Sequence, residues 1–244
     1  MNNAVHEIPL LNLSLSFIPV LLMLLILHRW AHDYRKKLHA LVRMPVQLLL
    51  LGYILAYVFL ADSAWIVVSV LMIMVLASSW IALHSLRLPR RILYARAVCA
   101  IAVGGGFTLL LTTQTVLRLE PWYRPHYLIP LAGMTFSTAM NSISLAAERF
   151  EAEIVLGRTY RSARNTALKI SLIPITNSMS AVGLVLIPGI MTGQIMSGIS
   201  PHIAARYQIM VMCMSFAAAG LSSACFLRLL KTQVSTLKAA AKTP

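Results

Sequence analysis

"AWIVVSVLMIMVLASSWIAL", residues 64–83, runs for 20 residues without a charged side chain. A helix rises about 1.5 Å per residue, so such a run matches the ~30 Å hydrocarbon core of a bilayer. Comparable runs fall at residues 8–27, 45–60, 97–117, 128–147, 170–189 and 207–227, which makes seven expected spans. Hydrophobic residues make up 59% of the 244, charged residues only 11%, and the mean hydropathy is +0.77. A water-soluble helical domain shows apolar stripes, not whole apolar turns. Membrane barrels show short alternating segments, and this chain has none. Lipid admits only helices or closed barrels, so the expected fold is all-α, a polytopic helical membrane protein.

One membrane domain is expected to fill residues 1–244, since the linkers are too short for another and no internal repeat is visible. The second span is short. The sixth carries Pro174 and Pro188 and is expected to be kinked or broken. The first span has no basic segment before it, and its end, "LILHRW", is no small-residue cleavage site. It reads as a retained helix, not a signal peptide.

Orientation follows from Lys and Arg in the short loops. Residues 29–43 hold five, 87–96 four, 149–169 five and the tail after residue 227 four. Only Arg118, Arg124 and Arg206 fall on the opposite side, so eighteen of the 21 cations share one face. This places the N-terminus outside and the C-terminus in the cytoplasm. Topology thereby accounts for the net charge of +14. Nucleic-acid binding is not implied, because that would want the charge on a soluble folded face.

Cys99, Cys213 and Cys225 all fall within spans, with no paired or metal-ligand spacing, and are expected to pack as small buried hydrophobes. The acids are more informative. Three of the seven, Glu148, Glu151 and Glu153, lie in "ERFEAEIVLGRTYRSAR" between the fifth and sixth spans, in the largest cytoplasmic loop. "ERFEAEIVL" reads as a helix continuing past the membrane, with the acids early in it. Gly157 suits the position just past its C-terminus, and Thr159 suits the N-cap of a second helix reaching Lys169. Acids in the first helix and arginines after the turn match the helix dipoles in part. A solvated connector would also collect charges here.

"EAEIVLG" fits the E-A-A-x-x-x-G core of the cytoplasmic loop in ABC importer permeases, with Glu153 in place of the second Ala. "ISLIP", residues 170–174, resembles the I-x-L-P closing that motif, displaced by about one turn. A wider resemblance covers most of the chain. "RMPVQLLLLGYILAYVFL" (43–60), "IPLAGMTFSTAMNSISLAAER" (129–149) and above all "VGLVLIPGIMTGQIMSGISPHIAARYQIMV" (182–211) resemble the Fet-type metal-export permeases, whose relatives include plant aluminium-sensitivity half-transporters. "LGRTYRSA" departs from the Leu-Gly-Ala-Thr usual in that family, and "TNSMSAVG" varies a loosely kept region.

The resemblance implies a permease subunit in the bacterial inner membrane, exporting a metal ion such as iron. It implies a separate ABC ATPase carrying ATP and Mg, a homodimer of this chain in the lipid bilayer, and no cofactor in the chain itself. By the same likeness, Glu148, Glu151, Glu153, Gly157, Thr159 and Arg161 would couple to the ATPase. The chain contains no G-x-x-x-x-G-K-[ST] phosphate loop. Gly104, Gly105 and Gly106 form a glycine run inside a span and suit close helix packing instead.

Polar residues inside spans are costly in lipid and usually face a bundle interior. Gly133, Ser137 and Asn141 recur every four residues on the fifth span, one stripe of a helix, with Met134 and Met140 beside it. Thr176, Asn177 and Ser180 cluster after Pro174, and Met191, Gln194 and Met196 follow Pro188. These are candidates for a substrate pathway; helix–helix hydrogen bonding is the competing role. His126 and His202, expected near the outer face, could pass a metal outward, or serve as plain interfacial polar groups. Most of the thirteen methionines sit in apolar runs and read as packing. "WAHDYRKKLHALVR" (30–43) reads as an interfacial helix on anionic lipid, with Trp30, Tyr34 and Leu38 at four-residue spacing.

A stand-alone secondary transporter or channel is the alternative, although no span core carries an Asp, Glu or Lys for ion coupling. A membrane enzyme would need a His, Asp or Glu cluster, and none can be placed. Cysteines introduced at Asn3 and Thr243 should label from opposite faces with an impermeant thiol reagent, in a background free of the native cysteines. Labelling from one face would remove a span from this topology.

Overall fold

The structure, a computed structural model, describes residues 9–30, 34–60, 63–84, 86 and 90–233. Every regular element among them is a helix. The chain divides after Ala61 into two compact units.

The first unit holds α1 (Leu10–Leu15), α2 (Ile18–Trp30) and α3 (Tyr34–Leu60). The expected first span is interrupted at Ser16–Phe17, where the Ser16 hydroxyl donates to the Leu13 carbonyl at 2.6 Å. Pro19 is the physical cause: it has no N–H, and its ring crowds the carbonyl four residues earlier. α3 runs through Pro45 and is 27 residues long. The second span is therefore not short, and the basic segment before it is no separate interfacial helix. Residues from Tyr34 onward belong to α3, Trp30 closes α2, and residues 31–33 lie outside the described set.

The second unit begins with α4 (Ala64–Ala82), which matches the opening run to within one residue. A continuous helical rod follows over residues 90–116: α5 (Arg90–Ala100), a wider π-turn segment (Ile101–Gly105), α6 (Gly106–Leu111) and a second π segment (Thr112–Val116). Thr108, Thr112, Thr113 and Thr115 each donate to the carbonyl four residues earlier, at 2.6–2.9 Å. Their hydroxyls are thus satisfied inside the rod, as an apolar setting requires. Then come α7 (Pro125–Val155), α8 (Tyr160–Ser171), α9 (Ile173–Ala181), α10 (Gly189–Met196) and α11 (Pro201–Leu229), which ends in a short 3₁₀ turn.

Five of the described helices are long and apolar enough to cross a membrane: Asn12–Trp30, Lys37–Leu60, Ala64–Ala82, Arg91–Val116 and Pro201–Gln233. α7 is not among them, although at 31 residues it is the longest element. It forms the core of the second unit, packing on α11, α8 and α4, with Ala132, Phe136, Ala139, Ile143, Ala146 and Phe150 buried. A helix enclosed by other helices need not present an apolar surface to lipid, so its Gly, Thr, Ser and Asn content is tolerated. The expected sixth span is not a continuous helix: it is divided among α8, α9 and α10.

The glycine run packs as its position suggests, but not uniformly. A Cβ on Gly104 would lie 2.5 Å from the Ser222 backbone nitrogen and hydroxyl oxygen on α11. On Gly105 it would meet the Phe136 ring at 3.1 Å, and on Gly106 nothing within 4 Å. Gly104→Ala should therefore force the rod away from α11 and cost about 1–3 kcal/mol, a typical overpacking penalty. Gly106→Ala on the same rod should be neutral. Thermal unfolding of the two variants in detergent checks this; equal midpoints would mean that the rod does not touch α11 at Gly104.

Candidate functional site

The unusual part of the second unit is the broken segment after α8. Pro174 sits in the first turn of α9, Gly183 follows it at φ +82°, and Pro188 caps α10 with extended ψ 144°. Residues 182–187 leave the helix, yet their backbone is not abandoned. The N–H groups of Leu184, Val185 and Leu186 all donate to the Ala181 carbonyl at 2.9–3.2 Å, and Gly183 N–H donates to the Leu186 carbonyl at 3.1 Å. Irregular backbone inside an apolar region persists only where it is satisfied and enclosed by protein or lines a cavity. Here the backbone is satisfied locally and one side of it lines a cavity, while Leu184 and Val185 point outward, 87% and 88% exposed.

The smaller cavity, about 180 Å³, lies between α7, α9 and α11 and is lined by Thr138, Asn141, Ser142, Ser171, Pro174 and Ser178, among others. Its floor is a polar clasp. The hydroxyls of Ser142 on α7 and Ser223 on α11 are 2.6 Å apart, and Ser142 donates to the Ser171 carbonyl at 3.2 Å. The larger cavity, about 590 Å³, lies between α9, the 182–188 turn, α10 and α11. Met179, Met191, Met212, Cys213 and Gln208 are among its walls. Gln208 is only 6% exposed, and its Oε1 has no hydrogen-bond partner.

At the other end of α7 the acidic stretch forms a tight helical hairpin. The chain reverses at Gly157, φ +79°. Gly157 N–H donates to the Ile154 carbonyl at 3.0 Å, and Arg158 N–H donates to the Glu153 carbonyl at 3.1 Å. This is the Schellman pattern, in which a left-handed residue closes the helix. Thr159 then caps α8, its hydroxyl accepting from Ser162 N–H at 3.4 Å. Phe150 and Tyr160 stack edge to face at 5.8 Å, and the Tyr160 hydroxyl donates to the Leu227 carbonyl of α11 at 3.0 Å. The hairpin is thus fastened to both α7 and α11.

Both capping expectations, Gly157 and Thr159, are met, but the glutamates sit differently from the expectation. Glu148, Glu151 and Glu153 lie in the last turns of α7, not early in a helix. The macrodipole disfavours anions there. Glu153 is offset locally: it is 7% exposed and its Oε1 lies 2.6 Å from an Arg149 guanidinium nitrogen. Glu148, Gly157, Thr159 and Arg161 are exposed.

The stripe on α7 divides among different surroundings. Gly133 faces α4, where Met74 would stand 3.6 Å from an added Cβ. Ser137 is exposed and donates to the Met134 carbonyl at 3.1 Å; only Asn141 lines the small cavity. Met134 and Met140 are half-buried. On α9, Asn177 and Ser180 are exposed and stand outside that cavity's wall, and Ser180 donates to the Thr176 carbonyl at 3.1 Å. On α10, Gln194 is half-buried and ends in a second Oε1 without a partner.

The cysteines are not buried in the fold. Cys99 and Cys213 are exposed and Cys225 is half-buried, with Cys213 and Cys225 lining cavities. Their helices use alanine and serine for close contact, which leaves the thiols on the remaining faces. Among the described residues, no three His, Cys, Asp or Glu gather as a metal site. Sequence reasoning missed Gln208, Met179, Met212 and Cys213. Only Gln208 carries a local signal, an amide within an apolar run.

Long apolar helices, most of whose hydroxyls are satisfied by carbonyls of their own helix, define an integral membrane protein of the polytopic helical class. The chain belongs to the UPF0014 family, described as an uncharacterised protein family, whose profile matches residues 10–234. It is 36% identical over 185 residues to a UPF0014 membrane protein of Synechocystis, covering 70% of this chain and 71% of the relative. It is 30% identical over 240 residues to the Escherichia coli protein named "Probable iron export permease protein FetB", covering 91% of each. It is 31% identical over 202 residues to the Arabidopsis thaliana protein ALUMINUM SENSITIVE 3, covering 76% of this chain and 72% of the relative. No solved structure matches.

Proposed function

We propose that this chain is the membrane subunit of an ATP-driven exporter of a metal ion such as iron. It acts in the bacterial inner membrane as a pair of identical copies, with a separate ABC ATPase that holds ATP and Mg. The observation that carries this reading is the match to the relative named as an iron export permease, which spans 91% of both chains. The α7–α8 hairpin supports the ATPase contact. Its exposed residues, Glu148, Gly157, Thr159 and Arg161, form a surface at the arginine-rich end, which the charge asymmetry assigns to the cytoplasm. Glu153 serves within the hairpin, holding Arg149.

The hairpin is suited to transmitting force. A push on Gly157 moves α8, and α8 is tied to α11 by Tyr160 and to α7 by the Ser142–Ser171 contact. Its far end leads within two residues into α9, the first half of the broken helix. Asn141 and Asn177, on the facing elements α7 and α9, line the path in this reading. A second copy, related by a two-fold axis, covers amides that lipid would otherwise have to solvate.

Gly157→Val places a β-branched residue at φ +79°, which costs about 1–3 kcal/mol of local strain. Gly157→Asn tolerates that conformation. In iron-sensitised cells that also carry the ATPase, the Val variant should lose most of its protection at matched membrane abundance, and the Asn variant should keep it. Full protection by the Val variant would make the hairpin a plain connector. Asn141→Leu and Asn177→Leu should likewise lose protection; if both protect like wild type, the two amides are packing groups.

A further inference from the structure

The larger cavity has a composition that narrows what it can hold. Three thioethers and a thiol reach it from three elements: Met179 on α9, Met191 on α10, and Met212 and Cys213 on α11. Gln208 adds an amide that is 94% enclosed by the protein, its Oε1 unpartnered. The remaining walls are hydrocarbon, from residues such as Val182, Ile187 and Ile209. Among the described residues, no Lys, Arg, His, Asp or Glu lines it.

A buried amide oxygen left without a donor is destabilising, because its lost hydration is not replaced. Gln208 is therefore expensive unless its Oε1 meets an electron-poor guest. Thioethers and the amide oxygen only accept, so a cation suits them; the Cys213 thiol would join as the thiolate, releasing its proton to solvent, to which it is exposed. Sulfur ligands select soft ions over magnesium, calcium or manganese, which prefer carboxylate and carbonyl oxygen. Charge narrows the class further. Moving an ion out of water carries a penalty that grows with the square of its charge, and neutral ligands return little of it. The Cys213 thiolate supplies one negative charge and the other ligands none, so a singly charged soft ion is the guest these walls neutralise.

We propose that this cavity is a binding site for a soft monovalent metal ion of the copper(I) class, held by Met191, Met212 and Cys213 with Gln208 Oε1. The site rests on the export reading only for its place in a transport path; binding itself needs no ATPase. The broken segment contributes by shape. Because residues 182–188 leave the helix, α9 and α10 are offset, and their methionines reach one cavity with those of α11.

The test uses the purified full chain in detergent, with Cys99 and Cys225 replaced by serine to remove the other thiols. Copper(I) is titrated anaerobically against a chromogenic copper(I) chelator. The expected result is one copper(I) per chain, with affinity falling at least ten-fold in Met191→Leu/Met212→Leu, which keeps side-chain volume. Gln208→Leu should weaken copper(I) binding and raise the apo melting temperature, since it removes an unpartnered buried oxygen. Failure of the parent to bind copper(I), or unchanged affinity in the folded double-methionine variant, overturns the site. Equal or tighter binding of manganese(II) overturns the soft-ligand assignment. These outcomes are separable from the export reading. That reading fails if ATPase-dependent iron protection is absent from cells whose purified chain still binds copper(I), and it survives if protection persists without such binding.

Discussion

The second unit depends on the close approach of α7 and α11. In hydrocarbon there is no hydrophobic force between helices, so association rests on close packing and interhelical hydrogen bonds. Both are present at one level. Ala218, Ala219, Ser222 and Ser223 make a flat side to α11, and Ala139, Ser142, Ala146 and Ala147 lie buried on α7. The Ser142 and Ser223 hydroxyls close to 2.6 Å across them. Gly104 fits under Ser222 on the same side, so the rod formed by residues 90–116 is drawn into the same contact. A single added methyl group at Gly104 would contest space with α11 backbone, which has no rotamer by which to retreat.

That contact also sets where the irregular part begins. Ser142 reaches the Ser171 carbonyl at the end of α8, a group that helix termini leave without an intrahelical partner. The clasp therefore joins three helices and holds the start of α9 beside Asn141. At the opposite end of α8 the hairpin is closed by backbone bonds and pinned by Tyr160 to Leu227. α8 is a short lever fixed at both ends to the helices that enclose the cavities. Any displacement of the hairpin must reach the clasp or break one of its attachments.

How much of this was legible in the sequence varied with the range of the interactions. Run length alone located α4, because the bilayer thickness acts on every apolar span independently of its neighbours. Gly157 and Thr159 were readable because capping is decided within about five residues. The division of the sixth span was signalled by Pro174 and Pro188, which act locally. The burial of the cysteines was misjudged because which face of a helix meets another depends on tertiary packing. The placement of the glutamates failed for a similar reason: α7 runs eight residues beyond its apolar stretch, so acids expected early in a helix fall at its end. The stripe on α7 was correctly spaced, but it turns past two different neighbours, so Gly133 and Asn141 have separate surroundings. Met179, Met191 and Met212 each sit in an ordinary apolar run, and nothing short of the folded chain brings them together.

The two cavities beside α9 differ in a way that bears on the proposed passage of ions. The smaller is lined by amide and hydroxyl oxygen, the larger by sulfur around one amide oxygen. Neither contains a carboxylate, although a carboxylate would hold a cation more tightly. In a low-dielectric interior a lone carboxylate tends to take up a proton, and an empty ionised site would be penalised in every cycle. Groups that are neutral while the site is empty, amides, thioethers and a protonated thiol, avoid that penalty. Oxygen amides suit harder ions and thioethers softer ones, so the order in which an ion meets the two sets would bias passage by softness as well as by size. The unpartnered oxygen of Gln208 on α11 belongs to the larger cavity, whereas that of Gln194 on the neighbouring α10 belongs to neither lining. At the proposed site a cation meeting Gln208 would remove the cost of that oxygen, and the gain would favour the occupied arrangement of the broken helix.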